Sequence, residues 1–481
     1  MNQKFLIYLT ALLFLMASFT SCEEEESDSP LDEQEEMAKA PSEGSSLSSE
    51  DQKETLETTG MDLNEEMTST MKSEQMEASV SFAYFLSHME NDPLKRQQYQ
   101  TLQRTKAFQI IQAVNKIDNS PGKIGKLPAT LKKNAWEPES IEEVYDSLSG
   151  KFTWNPTSES WDYTESESII FEFPATKNAG TNNASFIIEN VADTTLDDYY
   201  YFGQGSWNEY PEDAYTGFIP TGLYFYLAVN DTKYMEYQYS ASFNEEGFVK
   251  NLSVDFNLGL LSYAYSFSNK NSKTISTNTS LMIGEKKLIE FGAGINGDIS
   301  RDNLENSIRY WAWDPETYRD TIISAEDTAS YDEYWPEPDP KEILNKGFAY
   351  FTIMDKLKLG GKADIKDLIA AEEEIYPLNH WDDPNFDEDQ ATADWAAALN
   401  KHTDFFMANM EKNQWMAKAR FYVKEESGYY DDYSYVALRL IFSDDSKVDP
   451  EVYFGEGFDD LIKDFNNSMK DVESTYSAYE F

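Results

Sequence analysis

Cys22 is the only thiol in this chain, so no intrachain disulfide and no thiolate-ligated metal cluster can form. Histidine is scarce as well: His88, His380 and His402 are the whole set, and none stands in the H-E-x-x-H spacing of a zincin. Basic residues are few, 39 Lys and Arg against 88 Asp and Glu. The resulting net charge of -49 repels phosphate backbones, which argues against nucleic acid as a partner and for a solvated acidic surface. No G-x-S-x-G elbow occurs, because Gly205-Ser206-Trp207 is followed by Asn208. Gly203 and Gly205 lack the third glycine and the Lys-Ser/Thr ending of a phosphate loop. The sequence therefore predicts a non-catalytic chain with no cofactor. A carboxylate pair for glycoside cleavage is defined by a spatial separation of about 5 to 10 Å, which sequence spacing does not give.

What the chain does have is alternation. Met235, Tyr237, Tyr239, Ala241 and Phe243 share one parity while Glu236, Gln238, Ser240 and Ser242 share the other, the pattern of a half-buried strand. After Asn244-Glu245-Glu246-Gly247 the apolar set resumes as Phe248, Leu252, Val254, Phe256 and Leu258. It continues through Leu261, Tyr263, Tyr265 and Phe267, then Ile275, Thr277, Leu281 and Ile283, then Ile289, Phe291, Ala293 and Ile295. Links this short imply antiparallel hairpins, with turns at Asn269-Lys270-Asn271 and Ile283-Gly284-Glu285. One apolar face must be covered, since each exposed aromatic forfeits roughly 2 to 3 kcal/mol. The fold class expected is α+β: an antiparallel β-meander whose apolar face lies under N- and C-terminal helices. The alternative is that part of the face lines a cavity for an apolar ligand. A membrane barrel is not expected, because the alternating segments are too few and helical patterns follow them.

The first residues explain the cysteine. Met1 to Lys4 are short and basic, Phe5 to Ala17 are apolar apart from Thr10, and Ser18-Phe19-Thr20-Ser21 lead into Cys22. A run of about thirteen residues is too short for a bilayer crossing of about 20, so it reads as a cleaved export signal over residues 1 to 21. Ser21-Cys22 resembles the lipobox of bacterial lipoproteins, with Phe19 in place of the usual aliphatic residue. The resemblance implies that Cys22 becomes the mature first residue, acylated (palmitate-type chains) on sulfur and nitrogen, and two or more chains hold a protein on a membrane. Glu23-Glu24-Glu25-Glu26-Ser27-Asp28 is similar to the acidic export signal of Bacteroidota lipoproteins, which implies the outer face of the outer membrane.

In chain order, residues 22 to 61 are poor in aromatics and rich in Glu, Asp, Ser and Thr, and are expected to be a disordered acidic tether. Residues 62 to 120 read as a helical hairpin, from Asp62 to Met89 and from Leu94 to Ile117, a candidate lid for the sheet. Residues 127 to 325 carry the meander, opening with "GKFTWNPTSESWDYT" and "IIFEFPA". These segments, the meander and the late "DDSKVDPEVYFGEGFDDLIKDF" resemble a family of uncharacterised Bacteroidota surface lipoproteins, a likeness that implies location and architecture and no activity. Residues 341 to 481 are expected to hold helices at Lys341 to Lys358, Ala363 to Ile375 and from Asp389 through Trp395, Leu399, His402, Phe406 and Met410. Strands at Ala417 to Val423 and Val436 to Phe442 and a last helix from Phe458 to Val472 would close as a β-β-α unit.

Three stretches are dense in Tyr and Trp, which give contact area at low entropy cost. They are residues 197 to 215, 310 to 340 and 427 to 435, and they nominate Tyr200, Trp207, Tyr210, Trp311, Trp313, Tyr334, Trp335, Tyr430 and Tyr433 as ligand-binding residues. His402 lies on an apolar stripe and is expected to be a packed histidine. Asp383, Asn385, Asp387 and Asp389 alternate as calcium ligands would, but Glu388 occupies the place that needs glycine, and helix N-capping explains the string better. The function expected is a lipid-anchored outer-membrane surface protein that binds or scaffolds. The membrane is its one named partner, and a glycan, a lipid or a protein is a possible ligand. Two rivals remain: a carrier of an apolar ligand on the meander face, and a glycan-binding or glycan-active protein using the aromatic loops.

Overall fold

The computed structural model describes residues 30–87, 145, 149–199, 215–243, 249–270, 272–298, 343–377, 385–427, 432–455 and 457–479. Among them the chain is mixed α and β, seven helices on one 17-stranded, mostly antiparallel sheet. Helices α1 (Pro30–Met37), α2 (Ser49–Met71) and α3 (Glu74–Ser87) come first, with β1 (Glu43–Gly44) between the first two. There follow β2 (Gly150–Asn155), β3 (Ser160–Thr164), β4 (Ile169–Phe173), β5 (Ala184–Tyr199) and β6 (Tyr215–Val229). Then come β7 (Thr232–Phe243), β8 (Val249–Leu258), β9 (Leu261–Lys270), β10 (Thr274–Ile283) and β11 (Lys286–Gly297). The remainder is β12 (Leu344–Ile353), β13 (Leu357–Asp364), α4 (Ile365–Ile375), α5 (Glu388–His402), β14 (Thr403–Asn409), β15 (Gln414–Ser427), β16 (Asp432–Phe442), β17 (Lys447–Val448), α6 (Pro450–Gly455) and α7 (Asp459–Thr475).

From β4 to β17 every strand pairs antiparallel with the next in sequence. Only β2 with β4 and β1 with β15 run parallel. This order sends successive links alternately to two ends of the sheet. One end holds the tight turns, where Asn230, Asp231, Gly259, Gly284, Met354, Asp355, Asn413 and Asp445 all have positive φ. That conformation is inexpensive for Gly, Asn and Asp and supplies the twist a two-residue hairpin needs. The other end receives the longer connections β5–β6, β11–β12 and β13–β14, the last containing α4 and α5.

Side chains keep one parity across the whole sheet. Cross-strand pairing links Leu223, Tyr239, Val254, Tyr265 and Thr279 into one transverse row. The row runs on through Phe291, Phe351, Leu359, Met407, Ala417 and Phe442. Its flanks belong to two separate cores. The larger joins Met76, Val80 and Phe85 of α3 and Val472 of α7 to Trp161, Phe173, Leu227, Tyr237, Phe256 and Leu258. Trp161 donates its indole N–H to the carbonyl of Phe85 at 3.2 Å, so even its polar edge is satisfied inside. The smaller core joins Leu357, Met407, Met416, Ala417, Phe442 and Tyr453, with Leu56 of α2 against it.

Several expectations are corrected. Residues 30 to 61, expected as tether, contain α1, β1 and the first half of α2, because Gln52 and Thr59 bury themselves and a Ser48/Asp51 capping box starts the helix thirteen residues earlier than apolar spacing suggests. The expected helix from Asp62 to Met89 is two helices broken at Lys72-Ser73, and the second arm of the hairpin lies outside the described residues. Of the helix expected over residues 341 to 358, residues 344 to 353 form β12 and 357 to 358 begin β13, where pairing with β11 and β14 overrides a helical spacing of apolar residues. Helix α5 ends at His402, and Phe406 lies in β14. Helix α7 lies along α2 rather than over the β15–β16 hairpin: Asn64 donates to Asp464 and Ser468, and Lys72 pairs with Asp471. The strand count also exceeds the few segments on which the argument against a membrane barrel rested. What argues against a lipid-facing band is that Tyr237, Phe256 and Leu258 of the apolar face are buried with Met76, Val80 and Phe85 of α3.

Candidate functional site: an exposed apolar window over β10 to β13

Between the two cores the transverse row comes into solvent. Phe291 is 37% exposed, Leu359 46% and Phe405 38%, while Phe351 between them is half-buried. Side chains of this kind on adjacent strands are a patch and not scattered singles. One row further toward the long-link end the same face turns small: Thr277 pairs with Ala293, Ala293 with Ala349, Ala349 with Gly361, and Gly361 with Phe405. The Phe405 ring lies over Gly361, where a Cβ would come within 2.2 Å of ring Cδ1. The next row holds Ile295 opposite Gly347, and Ile365 at the start of α4 reaches to 3.1 Å of where a Gly347 Cβ would sit. The result is a furrow of small residues with Phe291, Phe351 and Leu359 on one side and Ile295 and Ile365 on the other. Spanning β10 to β13 at about 4.8 Å per strand, it is roughly 14 Å long. Thr277 Oγ, buried at one end of the small-residue row, has no hydrogen-bond partner among the described residues.

At the tight-turn end of these strands α2 is attached through charge. Lys286 bonds Glu66 at 2.6 Å and Lys356 bonds Asp62 at 2.6 Å. The hydrogen bond to Asp62 raises the Lys356 pKa. Leu56 and Met71 of α2 pack against the smaller and the larger core respectively. Apolar contact thus holds α2 at both flanks and ion pairs hold it over the middle.

The opposite face of the same strands carries a buried polar group of residues. Asn278 donates to Tyr350 Oη at 3.0 Å, and Tyr350 donates to Glu290 at 3.3 Å. Lys287 pairs with the other Glu290 oxygen at 2.7 Å. Burial, then Glu290, raises the Tyr350 pKa, so its phenol stays protonated. Lys358 is 4% exposed, and its Nζ contacts Met37 Sδ of α1 at 3.8 Å, a weak acceptor. Burial lowers its pKa. Thr352, its cross-strand neighbour, has a buried hydroxyl without a partner among the described residues.

Of the aromatic ligand candidates, Tyr433 is described: it is exposed, stacks against Tyr435 at 5.9 Å between ring centroids and donates to Glu426 at 2.9 Å, which raises its pKa. Tyr200, Trp207, Tyr210, Trp311, Trp313, Tyr334, Trp335 and Tyr430 lie outside the described residues, as do Cys22, His88, His380 and Asp383. The strands that the three aromatic stretches join, β5 with β6, β11 with β12 and β15 with β16, all terminate at the long-link end. Asp387 caps α5, accepting from the Gln390 N–H at 3.0 Å, and Asp389 stands in the first turn. Asp394 accepts from the Gln390 side chain at 2.9 Å. Among the described residues no three His, Cys, Asp or Glu side chains are grouped to hold a metal ion. His402 has a side chain only 12% exposed and places Nδ1 3.5 Å from Asp367.

Sequence reasoning found Phe291 through its parity but missed Phe351 and Phe405, because the strands that carry them were read as helix, and Leu359, because it fell in the link between two expected helices. Gly360-Gly361 suits such a link as well as a strand, so it gave no warning. Comparison with protein-family models, with curated proteins and with solved structures gives no match.

Proposed function

We propose that this protein is a non-catalytic, lipid-anchored component of the outer-membrane surface that holds an apolar ligand, of acyl-chain type, in the window over β10 to β13. In this reading the sheet is a meander whose apolar face lies under α2, α3 and α7 at its flanks and is left free in the middle. The observation that carries it is the run of Phe291, Phe351, Leu359 and Phe405 in solvent between two closed cores. A linear chain laid along the furrow would cover two phenylalanines and a leucine, side chains that gain roughly 1.5 to 3 kcal/mol each on full burial. Sequence order gives the anchor its support: the apolar leader, Ser21-Cys22 and the acidic tract.

The chain from Glu23 onward, produced without lipid and examined by native mass spectrometry, should carry an apolar adduct and bind added fluorescent fatty acid. Ala349→Arg places a charged side chain on the exposed furrow floor and should abolish both while leaving the urea midpoint unchanged. Adduct-free protein with no fatty-acid binding sinks the carrier reading. For the anchor, clickable fatty acid should label the wild type and not Cys22→Ala, and protease applied to intact cells should remove it from an outward-facing position.

One observation favours a second reading, glycan recognition: the three Tyr- and Trp-rich stretches connect strands that end at one end of the sheet. Binding on a glycan array that is lost with Tyr433→Ala supports it, and a blank array removes it.

A further inference from the structure

Among the described helices α7 is the most amphipathic of the long ones, yet of its 17 residues Val472 is the one fully buried. Contacts with α2 use one side: Asp464 and Ser468 receive Asn64, Asp471 receives Lys72, and the Leu461 N–H reaches Glu57 at 3.3 Å. The neighbouring side carries Ile462 and Phe465, 58% and 54% exposed, with Met469 one turn on. Phe458 and Phe454 extend this stripe back into α6, their rings 6.3 Å apart at 21°. Phe454 is 50% exposed and Val452 60%. Glu473, Asn466 and Asp459 occupy the next strip of the helix surface, and Lys463 and Lys470 stand exposed beyond it.

The stripe lies beside the chain's own N-terminal arm. Tyr453 Oη donates to the Ser49 carbonyl at 3.4 Å, and Lys53 sits 5.4 Å from the ring centres of both Tyr453 and Phe458. Upstream, β1 pairs with β15, and α1 is held by Met37 against Lys358 on the opposite face of the sheet. From Cys22 to Pro30 there are eight residue steps, at most about 28 Å of extended chain at about 3.5 Å per residue. The body is therefore held close to whatever Cys22 is fixed in.

We propose that the α6–α7 stripe of Phe454, Phe458, Ile462 and Phe465 is a membrane-contact surface that seats the anchored body on the lipid headgroup region. The inference rests on the acylation of Cys22 and adds to it a second, reversible contact. A helix with one apolar side lies in the interface plane with that side turned to the acyl boundary. Asp459, Asp460 and Glu451 nearby mean that the contact is apolar and does not depend on anionic lipid. The acyl chains on Cys22 hold the molecule at the membrane, and the stripe fixes which side of the body faces it.

The test uses the full lipidated protein in phosphatidylcholine vesicles. Cys22 is the only native cysteine and is blocked when acylated, so Phe465→Cys introduces one free thiol for a nitroxide label. Ile462→Cys serves as an independent second position, and Lys366→Cys on α4 as the exposed control. Collisions with an aqueous nickel chelate should fall at least several-fold at 462 and 465 relative to 366, while collisions with dissolved oxygen rise. Equal accessibility at all three sites in protein that floats with vesicles overturns the membrane contact and leaves the anchor standing. Protein that does not float overturns the anchor and this proposal together. Shielding that persists in detergent, with neighbouring labels broadening one another, identifies a second copy of the chain as the occupant and also overturns it.

Discussion

Lys358 is a buried ammonium with a thioether beside it, and the Glu290 carboxylate on the same face offsets only part of the cost of its burial. In the unfolded chain Lys358 titrates near about 10.4. Its folded pKa is lowered, so between the two values the native state has released a proton that the unfolded state still binds, and stability rises with pH across that window. Below the folded pKa the full penalty of the charged group is present. Lys358→Met should therefore raise the unfolding free energy read from urea titration at pH 7 by on the order of 1 to 2 kcal/mol, with the gain shrinking as pH approaches about 10. A gain that does not change with pH would mean that packing, and not charge, is responsible. Gly292 is the converse case, a residue needed for its lack of a side chain: a Cβ there would lie 2.4 Å from the Tyr350 ring. Gly292→Ala should cost about 1 to 3 kcal/mol in urea unfolding, because ring and strand must part and the bonds of Tyr350 to Asn278 and Glu290 go with them. Neither residue was legible in the sequence. Alternation shows which side of a strand a residue takes, and nothing local says that a glycine on one strand receives a tyrosine from the next.

At the scale of elements, hydrogen bonds to backbone decide several boundaries. Asn400 near the end of α5 donates to the Phe421 carbonyl at 2.7 Å and accepts from the Phe421 N–H at 2.8 Å, standing in for a strand where β14 has ended. Asn400→Ala leaves both groups unpaired and should cost about 1 to 3 kcal/mol, readable as a lower urea midpoint. Ser48→Ala removes one half of the capping box of α2 and should cost about 1 kcal/mol by the same measurement. Strands β7 to β11 were legible because their two faces differ: Met235, Tyr237 and Tyr239 are buried while Gln238 is exposed. Strand β14 was not legible, because Phe405 and Phe406 are both apolar and face opposite ways, so no alternation separates it from the helix before it. Strands β12 and β13 were hidden by their turn as well, where Met354 and Asp355 take positive φ without a glycine to mark it.

At the scale of the molecule, a single sheet with one continuous apolar side serves two cores and an interval between them. The interval is where binding is proposed, and its position was half legible. The sequence showed that one side was apolar, but how much of it the helices reach depends on where α2 and α7 lie, about 400 residues apart in the chain. That pairing bears on how the molecule comes to exist. Strand after strand finds its partner in the segment made just before it, so the sheet can assemble progressively as the chain emerges, at low loop-closure cost. The embrace of α2 by α7 has no such local route. It waits for residues 459–475 to be synthesised, and until they arrive α2 has no mate.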